Sequence, residues 1–181
     1  MADDTATVDD APADASDPAP EPELLHGVPV TWSGGQRVLH APREQLVDLV
    51  RTLRDDDGFV MCLDVTAVDY VAYEAPRELP DGIEPERFEV VVILISHATR
   101  ERVRLRVQVP EADATVPSLF DVHPGTEAPE REVFDLFGIS FDGHPDLTRI
   151  LMPEDWVGHP LRKDEAIGRI PVQFKGTADA R

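Results

Sequence analysis

Arg87-Phe88-Glu89-Val90-Val91-Val92-Ile93-Leu94-Ile95-Ser96 and, after a short polar turn, Arg102-Val103-Arg104-Leu105-Arg106-Val107-Gln108-Val109 set the architecture of this 181-residue chain. Branched apolar residues fill the first run almost without interruption, the pattern of a central strand covered on both faces. In the second, Val103, Leu105, Val107 and Val109 alternate with Arg102, Arg104, Arg106 and Gln108, so one face packs inward and the other is polar. Two such runs so close in sequence read as a hairpin. The arginine stripe admits two readings, a solvated strand face or a docking surface for an acidic partner.

Upstream, Phe59 to Ala67 alternates and leads into Val68-Asp69-Tyr70 as a further strand. Before it, Leu46, Leu49, Val50 and Leu53 recur at i, i+3, i+4 and i+7, predicting a helix from Arg43 to about Asp56. Pro42 precedes that helix and Gly58 ends it. The intervening Asp55-Asp56-Asp57 reads as a solvated loop and not a metal site, because neighbouring side chains in extended chain diverge. Trp32-Ser33-Gly34-Gly35 reads as a turn. A loop carrying Pro76, Pro80, Gly82 and Pro85 separates the strands.

Downstream, Val116-Pro117 is read as opening a short helical stretch to Val122. A second helix runs from about Pro129 to Phe137, with Val133, Leu136 and Phe137 on one face and Gly138 as its stop. From Phe141 onward prolines and glycines break all periodicity, although Leu147, Ile150, Leu151, Met152, Trp156, Ile170 and Phe174 remain. An apolar segment with so little regular structure is expected to lie against a partner protein. The fold class is therefore α+β: a small mixed or antiparallel sheet covered by helices, with three divisions. Residues 1–23 form a disordered acidic tail, 24–140 the core domain and 141–181 an extended partner-docking arm.

Composition removes several function classes. Lys and Arg total 17 against 36 Asp and Glu, a formal charge of −19 that repels phosphate backbones and anionic lipid surfaces. Eight of the acids lie in the first 23 residues, which contain no Lys or Arg. The longest apolar run, Val90 to Ile95, is far short of the roughly 20 residues that span a bilayer. Neither a basic leader followed by an apolar stretch nor a pair of cysteines is present, which suits a reducing cytoplasm. Cys62, the single cysteine, cannot supply the four thiolates of a usual iron–sulfur cluster and is read as a buried inert thiol.

One block carries a specific resemblance. Glu130-Arg131-Glu132-Val133-Phe134-Asp135-Leu136-Phe137-Gly138-Ile139, then Asp142-Gly143-His144-Pro145-Asp146-Leu147, Arg149-Ile150-Leu151-Met152-Pro153-Glu154-Asp155-Trp156 and Gly158-His159-Pro160-Leu161-Arg162-Lys163-Asp164 resemble, in length and order, the thirty-kilodalton (C-type) subunit family of respiratory complex I, NADH:quinone oxidoreductase. Weaker similarity extends upstream through Asp64 to Tyr70, Arg87 to Val91 and Val116 to Ser118, so the resemblance covers roughly Arg43 to Lys175. Thr148 stands where many members carry a basic residue, and the tryptophans usual around 122–128 are missing.

The resemblance implies a non-redox scaffold subunit of the peripheral arm, on the cytoplasmic side of the membrane, with no independent catalytic activity. It implies the D and B subunits as partners, the arm wrapping the first of these, and FMN and iron–sulfur clusters held by other subunits, which carry electrons from NADH to quinone. Close relatives also serve in hydrogenase-type and F420H2-type membrane complexes. The signature residues implied are Glu130, Arg131, Glu132, Asp135, Phe137, Gly138, Gly143, His144, Pro145, Arg149, Pro153, Trp156, His159, Pro160, Arg162, Lys163 and Asp164. Read physically, Glu130, Arg131, Glu132, Asp135 and Arg149 can form ion pairs that fix the second helix to the arm, and both Gly-His-Pro tripeptides act as rigid corners. The competing chemical reading makes His144 and His159, with Asp142, Asp146 or Asp155, a metal-dependent hydrolase site.

Overall fold

The computed structural model describes residues 23–165. Eight strands and two α-helices follow one another as β1 (Leu24–Leu25), β2 (Val28–Ser33), β3 (Gln36–His40), α1 (Leu46–Asp55), β4 (Met61–Asp69), β5 (Phe88–Ser96), β6 (Glu101–Val109), β7 (Thr115–Pro117), α2 (Glu127–Phe137) and β8 (Ser140–Asp142). Six of them form one mixed sheet in the order β1-β2-β3-β6-β5-β4. The predicted hairpin is its centre: β5 and β6 pair antiparallel from Phe88↔Val109 to Ser96↔Glu101. The sheet becomes mixed where β3 joins β6 in parallel, Leu39 opposite Leu105.

The face carrying Leu39, Val65, Val90, Val92, Leu94, Val103, Leu105 and Val107 builds the core with α1 and α2. Helix α1 buries Leu46, Leu49, Val50 and Leu53, the four residues whose spacing predicted it. Gly58, at φ +75°, turns the chain back toward β4. Residues 70–87 form a loop without helix or strand, as the prolines imply.

Three expectations are corrected. Strand β5 is not covered on both faces: Val90, Val92 and Leu94 are buried, but Val91, Ile93 and Ile95 on the opposite face are only half-buried, because both helices pack on one side. Val116 begins no helix; Thr115–Pro117 pair in parallel with Ser140–Asp142, and this long-range partner outweighs local preference. Trp32 and Ser33 end strand β2, and only Gly34 and Gly35 turn, both with positive φ. The expected character of residues 1–22, and the positions of Ile170 and Phe174, lie outside the described residues.

Candidate functional site

Helix α2 organises the region that carries the signature residues. Its start is fixed by Glu130, fully buried in the first turn, whose carboxylate accepts hydrogen bonds from the Ser118 hydroxyl at 2.6 Å and the Leu119 N–H at 2.8 Å. Glu130 thus holds the loop before the helix and not the arm after it, correcting the expectation. The acid in the first turn also suits the positive end of the helix dipole. Glu132 is exposed and makes no hydrogen bond or ion pair among the described residues.

Asp135, one helical turn and a half further on, is the anchor of the arm. Its buried carboxylate accepts the backbone N–H groups of Ile150, Leu151 and Met152 at 3.1, 2.8 and 2.8 Å on one oxygen, and Arg149 Nη1 at 2.6 Å on the other. Burial alone favours the neutral acid. The N–H of Met152, the Arg149 guanidinium and the N–H groups of Leu151 and Ile150 outweigh it and hold the carboxyl below the usual carboxylate range. Arg149 also reaches the Gly158 carbonyl at 3.0 Å, closing the arm on itself. Arg131 donates to the Thr148 carbonyl at 3.2 Å and hydroxyl at 3.0 Å. Thr148 accepts that second bond; a basic side chain could not.

The end of α2 explains the second half of the signature. The last carbonyls of a helix lack intrahelical donors. Here the arm supplies them: His159 Nδ1 to the Asp135 carbonyl at 3.0 Å, the Leu161 N–H to Leu136 at 3.0 Å, and Arg162 Nε to Phe137 at 2.6 Å. A cation at this end also meets the negative pole of the dipole. Gly138, left-handed at φ +71°, leaves room for this cap; a Cβ there would sit 2.5 Å from His159 Nε2 and 2.7 Å from Arg162 Nη2. Phe137 is buried beneath it.

Both Gly-His-Pro tripeptides are turns, with Gly143 and Gly158 at φ +84° and +95°. His144 uses both nitrogens structurally, Nε2 donating to the Glu127 carbonyl at 3.0 Å and Nδ1 accepting the Asp146 N–H at 3.1 Å. With His159 Nδ1 capping α2, neither ring is arranged as a metal ligand. Among the described residues no three His, Cys, Asp or Glu side chains converge where a metal ion could be held. Pro145 and Pro153 are exposed corners, Trp156 and Pro160 are half-buried, and the Trp156 N–H closes a turn on the Pro153 carbonyl at 3.0 Å.

One part of the site escaped the sequence reading. Arg87, nearly buried, pairs with Asp69 at 3.0 Å, with Asp164 at 2.7 Å and with Glu111, joining the end of β4, the loop before β5, the segment after β6 and the arm. Asp69 also accepts the Lys163 N–H at 2.9 Å. Burial pushes the Asp69 carboxyl up, but Arg87 and the N–H groups of Lys163 and Val71 bring it below its ordinary range. The available signal was an Asp ending β4 and an Arg preceding its partner β5, whose register sets Asp69 opposite Phe88, the residue after Arg87.

The docked arm turns apolar side chains outward. Ile150, Leu151, Val157 and Leu161 are 40, 59, 90 and 43% exposed on a backbone held by the bonds above. Such an arrangement is apolar on a fixed backbone, and it suits recognition of another protein surface.

Residues 39–169 match the sequence model of the respiratory-chain NADH dehydrogenase 30 kDa subunit. The chain is 45% identical over 150 residues to the C-type subunit of NADH-quinone oxidoreductase from Saccharopolyspora erythraea, covering 81% of this chain and 56% of that protein. It is 48% identical over 140 residues to the protein of the same name from Mycobacterium avium, covering 76% and 55%. The chain thus spans about half the length of the curated relatives it matches. Among solved structures, the trypsin-resistant fragment (1-134) of Nqo5 superposes with a TM-score of 0.59 at 37% identity, over 67% of this chain and 90% of that one. A chain of the membrane-bound sulfane sulfur reductase, an archaeal respiratory membrane complex, shares the fold at 23% identity and a TM-score of 0.58, over 85% and 90%. Fold, signature block and relatives agree, and the chain belongs to the family of the respiratory-chain NADH dehydrogenase 30 kDa subunit.

Proposed function

We propose that this chain is a non-redox scaffold subunit of the peripheral arm of an NADH:quinone oxidoreductase, with no catalytic activity of its own. The observation that carries the reading is the docked arm: Asp135, Arg149, His159 and Arg162 fix its backbone to α2, and Ile150, Leu151, Val157 and Leu161 face outward. A backbone held before binding loses little entropy on contact, so a modest apolar surface suffices to locate a partner. In this reading residues 24–140 are the core domain, 141–181 the docking arm and 1–23 an acidic tail. The signature residues from Glu130 to Asp164 serve assembly.

The partners are the D and B subunits of the same complex, and the chain sits on the cytoplasmic side of the membrane through them. No helix among the described residues is long and apolar enough to cross a membrane. FMN and iron–sulfur clusters belong to partner subunits, which carry electrons from NADH to quinone. A scaffold contributes to such a reaction by position, since small displacements of reacting groups lower rates severely. Tagged chain recovered from gently solubilised membranes is expected to bring down the D and B subunits with NADH:quinone activity. Recovery of the chain alone, or with components of a hydrogenase-type complex, would overturn the reading.

A further inference from the structure

The face of the sheet opposite the helices is an open groove of about 810 Å³, and Trp32 borders both it and a smaller one of about 350 Å³. Strand β6 crosses this face with Arg102, Arg104 and Arg106, and register sets Ile95, Ile93 and Val91 of β5 beside them. Those three apolar residues are half-buried, so a basic row and an apolar row lie side by side. Trp32 and Tyr73 stand exposed at the walls of the larger groove.

The charge of this face is the reverse of the chain's. With Arg37, Arg77 and Arg100, six arginines line the two grooves against Glu78, Glu89 and Glu101, on a chain of 17 basic and 36 acidic residues. Two of those acids are already used, Glu89 by Arg106 at 2.7 Å and Glu101 by Arg37 at 3.1 Å. Arg100, Arg102 and Arg104 have no ion-pair partner among the described residues. Arg77 lies 4.1 Å over the Tyr70 ring and donates to the Glu86 carbonyl at 2.8 Å, but its Nη1 is buried without an acceptor among the described residues.

Spacing selects what this face can hold. Every second side chain of β6 points to it, about 6.7 Å apart, and an extended segment laid alongside repeats the same interval. Alternate side chains of such a segment turn to opposite sides. Acids at every second position then face the arginines of β6, where a guanidinium can take a carboxylate through two parallel bonds. The residues between them face the apolar row of β5. A nucleic acid or an anionic bilayer would extend past the groove into the field of the acidic remainder, whereas a short segment stays within it.

We propose that the open face of the sheet binds a short extended acidic segment of another protein, with acids at alternate positions and apolar residues between them. Its carboxylates pair with Arg102 and Arg104, and its apolar side chains cover Val91 and Ile93. The inference is independent of the assembly role of the arm.

The probe is a short fluorescein-labelled peptide in which Glu alternates with Val or Leu, read by fluorescence anisotropy against the full chain. Binding should weaken about tenfold or more between about 0.01 and 0.15 M salt, as the screening length shortens from about 30 to about 8 Å. It should be lost in the Arg102→Glu/Arg104→Glu chain and kept in Arg51→Glu, which reverses an exposed charge on α1. Two further peptides leave the protein untouched: one with Gln for every Glu should not bind, and one with its acids consecutive should bind more weakly. In the amide spectrum the alternating peptide should shift Arg102 to Arg106 and the Trp32 indole N–H. No binding at low salt, equal binding of the Gln peptide, or shifts confined to α1 or the arm would overturn the proposal. So would phosphatidylserine vesicles held by Arg102 and Arg104 in place of the peptide, or self-association of the chain that the double variant abolishes.

Discussion

Asp135 shows how one buried carboxylate can fix a long stretch of irregular chain. Three consecutive N–H groups and a guanidinium converge on it; without it the three N–H groups would lose their acceptor, and Arg149 would keep only carbonyl acceptors for its charge. Removing one partner of a buried ionic network costs far more than the net gain from making it. Asp135→Ala is therefore expected to destabilise the protein by about 3–5 kcal/mol, whereas Glu132→Ala, on the exposed side of the same helix, should change stability by less than about 0.5 kcal/mol. Urea unfolding of the two variants checks both values. At this scale the sequence was partly legible. The pairing of Asp135 with Arg149 follows from charge and proximity. The roles of Glu130 and of the Arg87–Asp69–Asp164 network do not, because each joins residues brought together only by the packed sheet.

At the scale of elements, periodicity located α1, α2 and the β5–β6 pair, since each buries one face against a single core. It missed β2 and β3, where Pro29 interrupts the alternation and where β3, besides its hairpin with β2, pairs with β6, 66 residues away. The same sheet carries a pH dependence. His40, 1% exposed on the open face, bonds Thr31 through Nε2 at 2.8 Å. Burial first, then the Arg106 charge, lowers its pKa from 6.5 to about 4, against the partial opposition of Glu89. The unfolded chain accepts a proton at about 6.5 that the folded ring refuses until about 4, so stability falls as pH falls through this window. Buried His123, lowered by burial and by Arg54, acts in the same direction. Asp69 and Asp135, depressed below the ordinary carboxylate range, extend the loss into stronger acid. His40→Gln should flatten the decline between pH 6.5 and 4 without abolishing the fall below it, as read from urea midpoints across the range; an unchanged slope would show that His40 does not set the decline.

The whole molecule divides its two sheet faces between folding and exposure. One face is closed by both helices, and α2 carries forward a rigid arm whose apolar side chains point away from the core. The sequence made the arm visible as an apolar stretch without periodicity. Its course over the end of α2 was not readable, because the bonds that hold it there are accepted by helix-end carbonyls that any sequence possesses. In the proposed assembly Leu151 and Val157 serve a partner and not the fold. The most direct measurement compares the Leu151→Asp/Val157→Asp chain with the unaltered one in two readings, the urea midpoint of the isolated protein and the recovery of the D and B subunits with NADH:quinone activity from solubilised membranes. The expected result is an unchanged midpoint with the partners and activity lost; an intact, active assembly carrying both aspartates would show that these side chains do not dock the chain.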